Sequence, residues 1–382
     1  MKIVFEKSKL MDALSPAMGT VCTKNTIPSI EGVLIETMEG NQVRLSTFDM
    51  NKGMRVMMTA ERVIEPGSSI INANRLMQIL RVLSEETLTI AVSDDFTATV
   101  TSGLASFSLS ALAGKDFPSM PELTGLRGFE VNSEILRDMI AKTIHSVAEQ
   151  DARAMLCGAF FRIMQNRMEV ISCDSYTLSR CSVQCEIRDV GELSALDFSF
   201  LVPGHALNEL VRVLNVAESI TTVKIARKHA IFCMGDIVFF TRMIDSEYID
   251  YERIIPRDQN IFVEIDRARF LEALERANLI AEEKIVGSAR SYVKLVLSDG
   301  KMSVTSTSVN GRVYDEIPIK HEGADLEIGF NCRYLINSVR ASTGEVLDLS
   351  FKTPTQSVTM VPHEKSEERD FFYMVLPVRM NG

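Results

Sequence analysis

"INANRLMQILRVL", residues 71–83, decides the architecture, because the same helical pattern returns twice. "VPGHALNELVRVL" (202–214) and "GFNCRYLINSVRA" (329–341) align with it on Leu76, Leu207 and Leu335. The intervals, 131 and 128 residues, are each close to a third of the 382-residue chain. A long period of this kind is the signature of a repeated structural unit, and the flanking sequence repeats with it.

Upstream, each third opens on a strand that runs into an amphipathic helix: "IVFEKSKLMDAL" from 3, "FEVNSEILRDMI" from 129 and "FVEIDRARFLEAL" from 262. Apolar residues recur at helical spacing, as Leu10, Leu14 and Met18, then Leu136, Ile140, Ile144 and Val147, then Phe270, Leu274 and Ala277. A strand pair with a polar turn follows each time: "GVLIETMEGNQVRLSTFD", "GAFFRIMQNRMEVISCD" and "VKLVLSDGKMSVTSTS". Further strands close each unit, namely "FSLSALAGKDFPSMPEL", "FFTRMIDSEYIDYERIIP" and the C-terminal "FFYMVLPVRMNG". Two helices among many alternating strands predict an α+β fold of three tandem similar domains, with antiparallel sheets carrying helices on one face. Turn-rich stretches at 121–128 and 254–260 set the expected domains at 1–125, 126–257 and 258–382. The strand edges of such domains need partners, and pairing from domain to domain and then to a second chain would supply them.

Composition narrows the function. With 24% charged and 46% hydrophobic residues the chain reads as a globular protein without low-complexity segments. It lacks an apolar run of about 18 residues, and "MKIVFEKSKL" carries charge where a signal peptide needs its apolar core, so no membrane contact and a cytoplasmic location are expected. Seven scattered cysteines make no disulfide framework, and Cys181 and Cys185 have no second pair at zinc spacing, so no metal or other cofactor is expected. Phosphate-loop, dinucleotide, zinc-protease and serine-hydrolase motifs are all missing, and the five histidines are widely spread. Nothing points to an enzyme. Within the six predicted helices Lys and Arg number 12 and Asp and Glu 6, against a net charge of -10 for the chain. Either helices simply favour long basic residues, or helices from all three repeats face one polyanion.

These residues resemble the bacterial DNA polymerase III beta subunit family, the replicative sliding clamps, over essentially the whole chain. The resemblance rests on the three repeats, on "FSLSALAGKDFP", "EQDAR", "CDSYTL" and "GFNCRYL", and on "VLPVR" near the end. It implies the DNA clamp fold in a head-to-tail homodimer, with helices lining a ring around duplex DNA of any sequence and sheets outside. It implies a non-catalytic processivity factor that tethers the DNA polymerase III alpha subunit, the clamp loader, other DNA polymerases and repair proteins through short apolar motifs. A paralogue that binds peptide or DNA without encircling it is the alternative.

Several positions follow from the resemblance. A partner-peptide pocket falls on Arg153, Leu156, Asp174, Ser175, Tyr176, Thr177, Leu178, Ile249, Ile254, Asn331, Tyr334, Ser357 and the tail Met374, Val375, Leu376, Pro377, Val378, Arg379 and Met380. Thus the apolar C-terminal stretch is expected to be part core strand and part pocket wall. Tyr176 and Thr177 stand where the family usually has His and Arg, Ile249 where it often has Pro, and Asn381 and Gly382 extend the usual end. Lys24 and Gln150 match DNA-touching positions, while Arg75, Arg137, Arg212, Arg276, Lys284 and Arg333 are DNA-facing expectations from helix charge alone. Phe107 and Leu109 match one side of the dimer interface, and Leu279 and Ile280 the other. "TSGLASFSL" lacks the Arg residues some members place there, so an interface with little salt sensitivity is expected.

Overall fold

The computed structural model describes residues 1–22, 27–121, 127–191, 196–214, 219–281, 292–308 and 311–380. Among them are six α-helices: α1 Lys7–Ala17, α2 Ala73–Val82, α3 Ser133–Thr143, α4 Gly204–Leu214, α5 Arg267–Ala281 and α6 Cys332–Ala341. All six fall in the predicted stretches, two per repeat. Side-chain caps start most of them: Asn72 Oδ1 accepts from Arg75 N at 3.0 Å, Asn132 Oδ1 from Ile135 N at 3.1 Å, Asp266 Oδ1 from Arg269 N at 2.8 Å and Asn331 Oδ1 from Arg333 N at 3.1 Å. Each cap satisfies a helix N–H that has no partner within the helix.

Strand alternation does the rest. Thr87–Val92 buries Leu88, Ile90 and Val92 and turns its threonines outward, as a sheet with one packed face requires. Gln42–Phe48, Arg167–Cys173 and Lys301–Thr307 each form an antiparallel hairpin with the strand before them, the three predicted strand pairs.

The chain forms two compact bodies. The first is Met1–Arg137 with Ile187–Leu196 and His205–Met243; the second is Asp138–Glu186 with Asp197–Gly204 and Ile244–Gly382. The first body holds a 14-stranded sheet, the second a nine-stranded and a four-stranded one. The middle repeat is therefore divided, half of its strands continuing the sheet of repeat one and half that of repeat three. The join is the same in both bodies: a closing strand pairs with the strand that follows the hairpin of the preceding repeat. Ile237–Arg242 lies antiparallel to Lys52–Thr59, and Arg369–Val375 to Thr177–Gln184.

In the first body α1 packs on α2, and Leu34, Phe48, Ile70, Phe117, Ile231 and Phe240 close a core across the join. In the second, α5 packs on α6 and on the strands Lys301–Thr307 and Arg312–Pro318. Among the described residues no helix is long and apolar enough to cross a membrane, and no group of three or more His, Cys, Asp or Glu is placed to hold a metal. The Cys181 and Cys185 thiols are both pushed up by burial, which leaves them mostly as poorly nucleophilic thiols.

Candidate partner-binding site

The second body gathers an apolar cluster around the join between repeats two and three. Leu178 pairs with Cys173 on one side and with Met374 on the other, so the closing strand of repeat three delivers a methionine into the sheet of repeat two. Leu156, Ile171, Cys173, Leu178, Tyr251 and Met374 form the floor, with Ile249, Tyr248 and Phe372 partly buried against it. Tyr248 stacks on Phe160 with ring centroids 4.9 Å apart. Its hydroxyl donates to Ile171 O at 3.4 Å, and burial raises its pKa.

A tight turn makes the rim. Asp174 Oδ1 accepts from Tyr176 N at 2.9 Å, Thr177 N at 2.6 Å and the Thr177 hydroxyl at 3.0 Å, and Ser175 sits at φ 78° between them. Three donors on one carboxylate pin the turn. Tyr176 then stacks on Tyr334, ring centroids 5.7 Å apart, and stays 54% exposed. Arg153 grips Asp151 through Nε and Nη2, both at 3.0 Å, and the same Nη2 donates to Ser175 Oγ. That two-pronged pair holds the Asp151 carboxyl down at about 2.

The tail is fixed by two backbone bonds. Leu376 N donates to Tyr176 O at 2.8 Å and Val378 N to Gly329 O at 2.9 Å. The Met380 side chain lies close over Gly329, so that a Cβ there would stand 2.8 Å from Met380 Cγ and the methionine would have to shift. Leu376 and Ile254 are 38% and 46% exposed, and each is tied by a backbone hydrogen bond to a residue of the rim or the cluster, Leu376 N to Tyr176 O and Ile254 N to Tyr251 O, so large apolar side chains remain open to solvent next to the buried cluster.

The predicted pocket residues separate by what each does here. Leu156, Leu178, Met374 and Ile249 meet in the floor cluster, and Arg153, Asp174, Ser175, Tyr176, Tyr334 and Leu376 meet at the rim. Val375 and Thr177 sit differently from these. Alternation turns Val375 to the sheet face opposite Met374, where it is fully buried. Thr177 is 2% exposed and its hydroxyl goes to Ser146 and Asp174, so it supports the turn from below. Asn331 caps α6 and thereby places Tyr334. Ser357 is buried, its carbonyl accepting from Gln259 Nε2 at 3.1 Å. Pro377 and Val378 are half-buried along the tail, and Arg379 is exposed. Tyr248, Tyr251, Phe372 and Asp151 were missed. The Asp151–Arg153 pair two residues apart is a signal the sequence did carry.

The basic positions are less uniform. Gln150 is exposed, and Lys24 and Lys284 lie outside the described residues. Arg75 reaches Gln78 Oε1 at 3.5 Å, Arg137 lies 4.0 Å from Glu134, and Arg212 sits 3.1 Å from Glu209. Arg333 donates its backbone N–H into the α6 cap. Arg276 is the departure: Nε and Nη2 hold Asp315 at 2.7 and 2.6 Å, so a phosphate would have to displace a carboxylate.

Phe107 and Leu109 lie two apart on Ala105–Ala113. Among the described residues, 105–110 pair only with Thr97–Ser102, because Ser68–Asn72 pairs with 111–113 and no further. Arg312–Pro318 likewise pairs on one side only, with Lys301–Thr307. Leu279, at the end of α5, is 75% exposed, and Ile280 is half-buried.

Repeated two-helix units, joined by the same strand pairing, define a DNA clamp fold. Three family models cover the chain in order: the DNA polymerase III beta subunit N-terminal domain over 1–121, its central domain over 130–250 and its C-terminal domain over 252–379. The chain belongs to the DNA polymerase III beta subunit family, the sliding clamps of replication, which act as processivity factors and are not themselves enzymes. It is 26% identical to the beta sliding clamp of Pseudomonas putida over the full length of both chains, and 23% identical to that of Bacillus subtilis over 99% of this chain and 100% of the other. The crystal structure of the DNA polymerase III subunit beta from Pseudomonas aeruginosa matches with a TM-score of 0.88 at 26% identity, covering 99% of this chain and 100% of that one. The clamp of the same organism has also been solved bound to griselimycin, at 25% identity and a TM-score of 0.88 over the whole of both chains.

Proposed function

We propose that two copies of this chain close head to tail into a ring around duplex DNA and hold polymerases there through the apolar site of the second body. The observation that carries the ring is the repeated strand join. Two of the three joins that three repeats can make are present within the chain. The third would need the closing strand of repeat one and Arg312–Pro318 of repeat three, the strands equivalent to those in the first two joins, and along both of them an outer edge is open among the described residues. An open edge of unpaired N–H and C=O groups is a template for another strand.

The register follows from the other two joins. Phe239 stands opposite Met54, and Tyr373 opposite Ser179. Counting through the equivalent hairpins, Phe107 corresponds to Phe239 and Val313 to Met54, which sets Phe107 of one chain opposite Val313 of the other. Ser106 then meets Tyr314, Leu109 lies towards α5 with Leu279 and Ile280, and Leu104 comes beside Glu316. Asp315 is already bound by Arg276, and Glu316 by Lys301 and the Tyr314 hydroxyl, so few charges are left to cross the interface.

On this reading the domains divide at 1–125, 126–257 and 258–382, and the ring works in the cytoplasm by topology rather than by tight contact. Gln150, Lys24, the exposed arginines of α2, α4 and α6 and the half-buried Arg137 of α3 meet phosphates weakly and without regard to sequence. The DNA polymerase III alpha subunit, the clamp loader, other polymerases and repair proteins each insert a short apolar motif over Leu178 and Met374. Two buried anchors at roughly 1.5–3 kcal/mol each contribute about 3–6 kcal/mol, which on their own reaches no further than tens of micromolar, a weak affinity that suits partners that must exchange. Sedimentation equilibrium tests the ring directly: a dimer is expected, with Phe107→Asp and Val313→Asp each giving a folded monomer. A monomeric parent protein would overturn the proposal.

A further inference from the structure

The two joins share a frame and differ in their charges. Gly53 stands opposite Phe48 and Phe240 as Leu178 stands opposite Cys173 and Met374, so Arg55 and Arg180, two residues further on, occupy equivalent positions. Arg180 Nη2 donates to Asp370 at 2.5 Å, and its Nη1 lies 3.7 Å from Glu252. Among the described residues Arg55 has no carboxylate within ion-pair distance, and its Nε donates to the Met120 thioether at 3.2 Å, a weak acceptor. Asp236, at the place of Asp370, lies in a turn and makes no ion pair with it. We propose that the sheet face of the first body carrying Arg55 docks an acidic, partly apolar segment of a partner protein, which supplies the carboxylate that Arg55 lacks. This surface belongs to the first body and does not depend on the leucine site of the second.

The surroundings fit that partner. Thr47 and Lys52 reach the end of α1 from one face of the sheet, and alternation turns Arg55 to the other. On that other face Arg44, Lys224 and Arg242 join it, while Glu36 is the one acid that the strands from Gly32–Thr37 across to Ile220–Ile225 place there. Glu36 is already held by Arg44, at 3.0 Å from Nε and 2.9 Å from Nη2. A chain of net charge -10 therefore shows an excess of cations on this one face, which complements an acidic segment. Arg55 is half-buried, and burial together with the Arg44 charge lowers its pKa, so an incoming carboxylate relieves a poorly solvated cation. Val238 stands opposite Arg55 and Cys233 opposite Val238, both half-buried, which gives aliphatic side chains of the segment an apolar setting. The phenylalanines of this face, Phe48 and Phe240, are buried and offer no ring on which the bases of a single strand would stack, so a peptide is the better match.

The test uses the full-length protein and short capped peptides in which glutamate and valine alternate, with glutamine in place of glutamate as the control. Titration calorimetry at low ionic strength should find that the glutamate peptide binds, with about tenfold weaker binding by the glutamine peptide and about tenfold weaker binding to Arg55→Gln. Arg55→Lys should recover only part of the loss, because an ammonium does not present two parallel donors to a carboxylate. Arg55→Gln should melt no lower than the parent protein, since no ion pair within the chain is lost. A lower melting temperature would show that the guanidinium already has a partner in the folded chain, and would overturn the proposal. So would equal binding of the two peptides, unchanged binding to Arg55→Gln, or no binding at about millimolar peptide. Displacement by a leucine peptide would put the glutamate peptide in the second body, and displacement by oligothymidylate would assign the face to nucleic acid; either result also overturns it.

Discussion

Leu178 shows how much one side chain is asked to do. It is fully buried between Cys173 and Met374, so the side chain that closes the core also lies beneath the proposed partner site. Truncating it removes contacts from both. Leu178→Ala should therefore cost about 2–5 kcal/mol of stability, by analogy with other buried leucines, seen as a lower denaturant midpoint, and should weaken a leucine peptide at least tenfold in titration calorimetry. His145 makes a prediction of a different sort. Burial holds its pKa down to about 4, and its Nε2 meets Ser179 Oγ at 3.1 Å in a network that runs through Ser146 and Thr177 to the rim. The unfolded chain takes up a proton near the ordinary pH of 6.5 and the folded chain does not. Stability is thus undiminished above that pH and falls as the pH drops from about 6.5 towards 4, by roughly 2–3 kcal/mol from this residue. His145→Gln should flatten the slope of unfolding free energy against pH in that window; an unchanged slope would assign the acid sensitivity to other groups. At this scale the sequence was read unevenly. The resemblance names Leu178, Met374 and Val375 alike, while strand alternation sets Met374 and Val375 on opposite faces of the sheet.

At the level of elements, the repeat was legible because three copies of strand, helix, hairpin and helix keep their spacing, and each helix and hairpin lies where the pattern put it. What the pattern could not give was the division of the middle repeat, since strand-to-strand pairing between repeats depends on edges far apart in the chain. One such contact lies where α1 ends. Lys52 Nζ donates to Gly19 O at 2.9 Å and lies 3.9 Å from Glu209, whose carboxylate fills the space a Cβ on Gly19 would need, 2.1 Å from Oε2. Gly19→Ala should turn the Glu209 carboxylate away from Lys52 at a cost below about 1 kcal/mol, because only the end of a flexible side chain has to move, so the melting temperature should shift by no more than about 4 °C; a larger drop would show that Glu209 is locked in place. The open strand edges make the companion prediction: dimer dissociation should change less than about threefold between about 0.1 M and 1 M NaCl, because exposed charge pairs contribute little and those on Arg312–Pro318 are satisfied within the chain. A steep rise in monomer with salt would contradict it.

For the whole molecule, the excess of basic residues on the helices was the one functional hint that owed nothing to resemblance, and it was ambiguous in sequence. Helix propensity alone could produce it, and individual arginines turn out to serve local partners, Arg276 on Asp315 most clearly. The fold was legible to the extent that it depends on periodicity and on family pattern. The rim chemistry was not, because the state of Arg153 and Asp174 is set by which neighbours reach them. The central claim is that the protein stays on DNA by encircling it. The most direct measurement is retention on nicked circular DNA, loaded with the cognate clamp loader and ATP, before and after the circle is cut once. Retention that survives high salt on the circle and disappears on linearisation is the predicted result. Equal binding to circle and linear DNA, falling with salt on both, would contradict the account and assign the protein to ordinary electrostatic attachment.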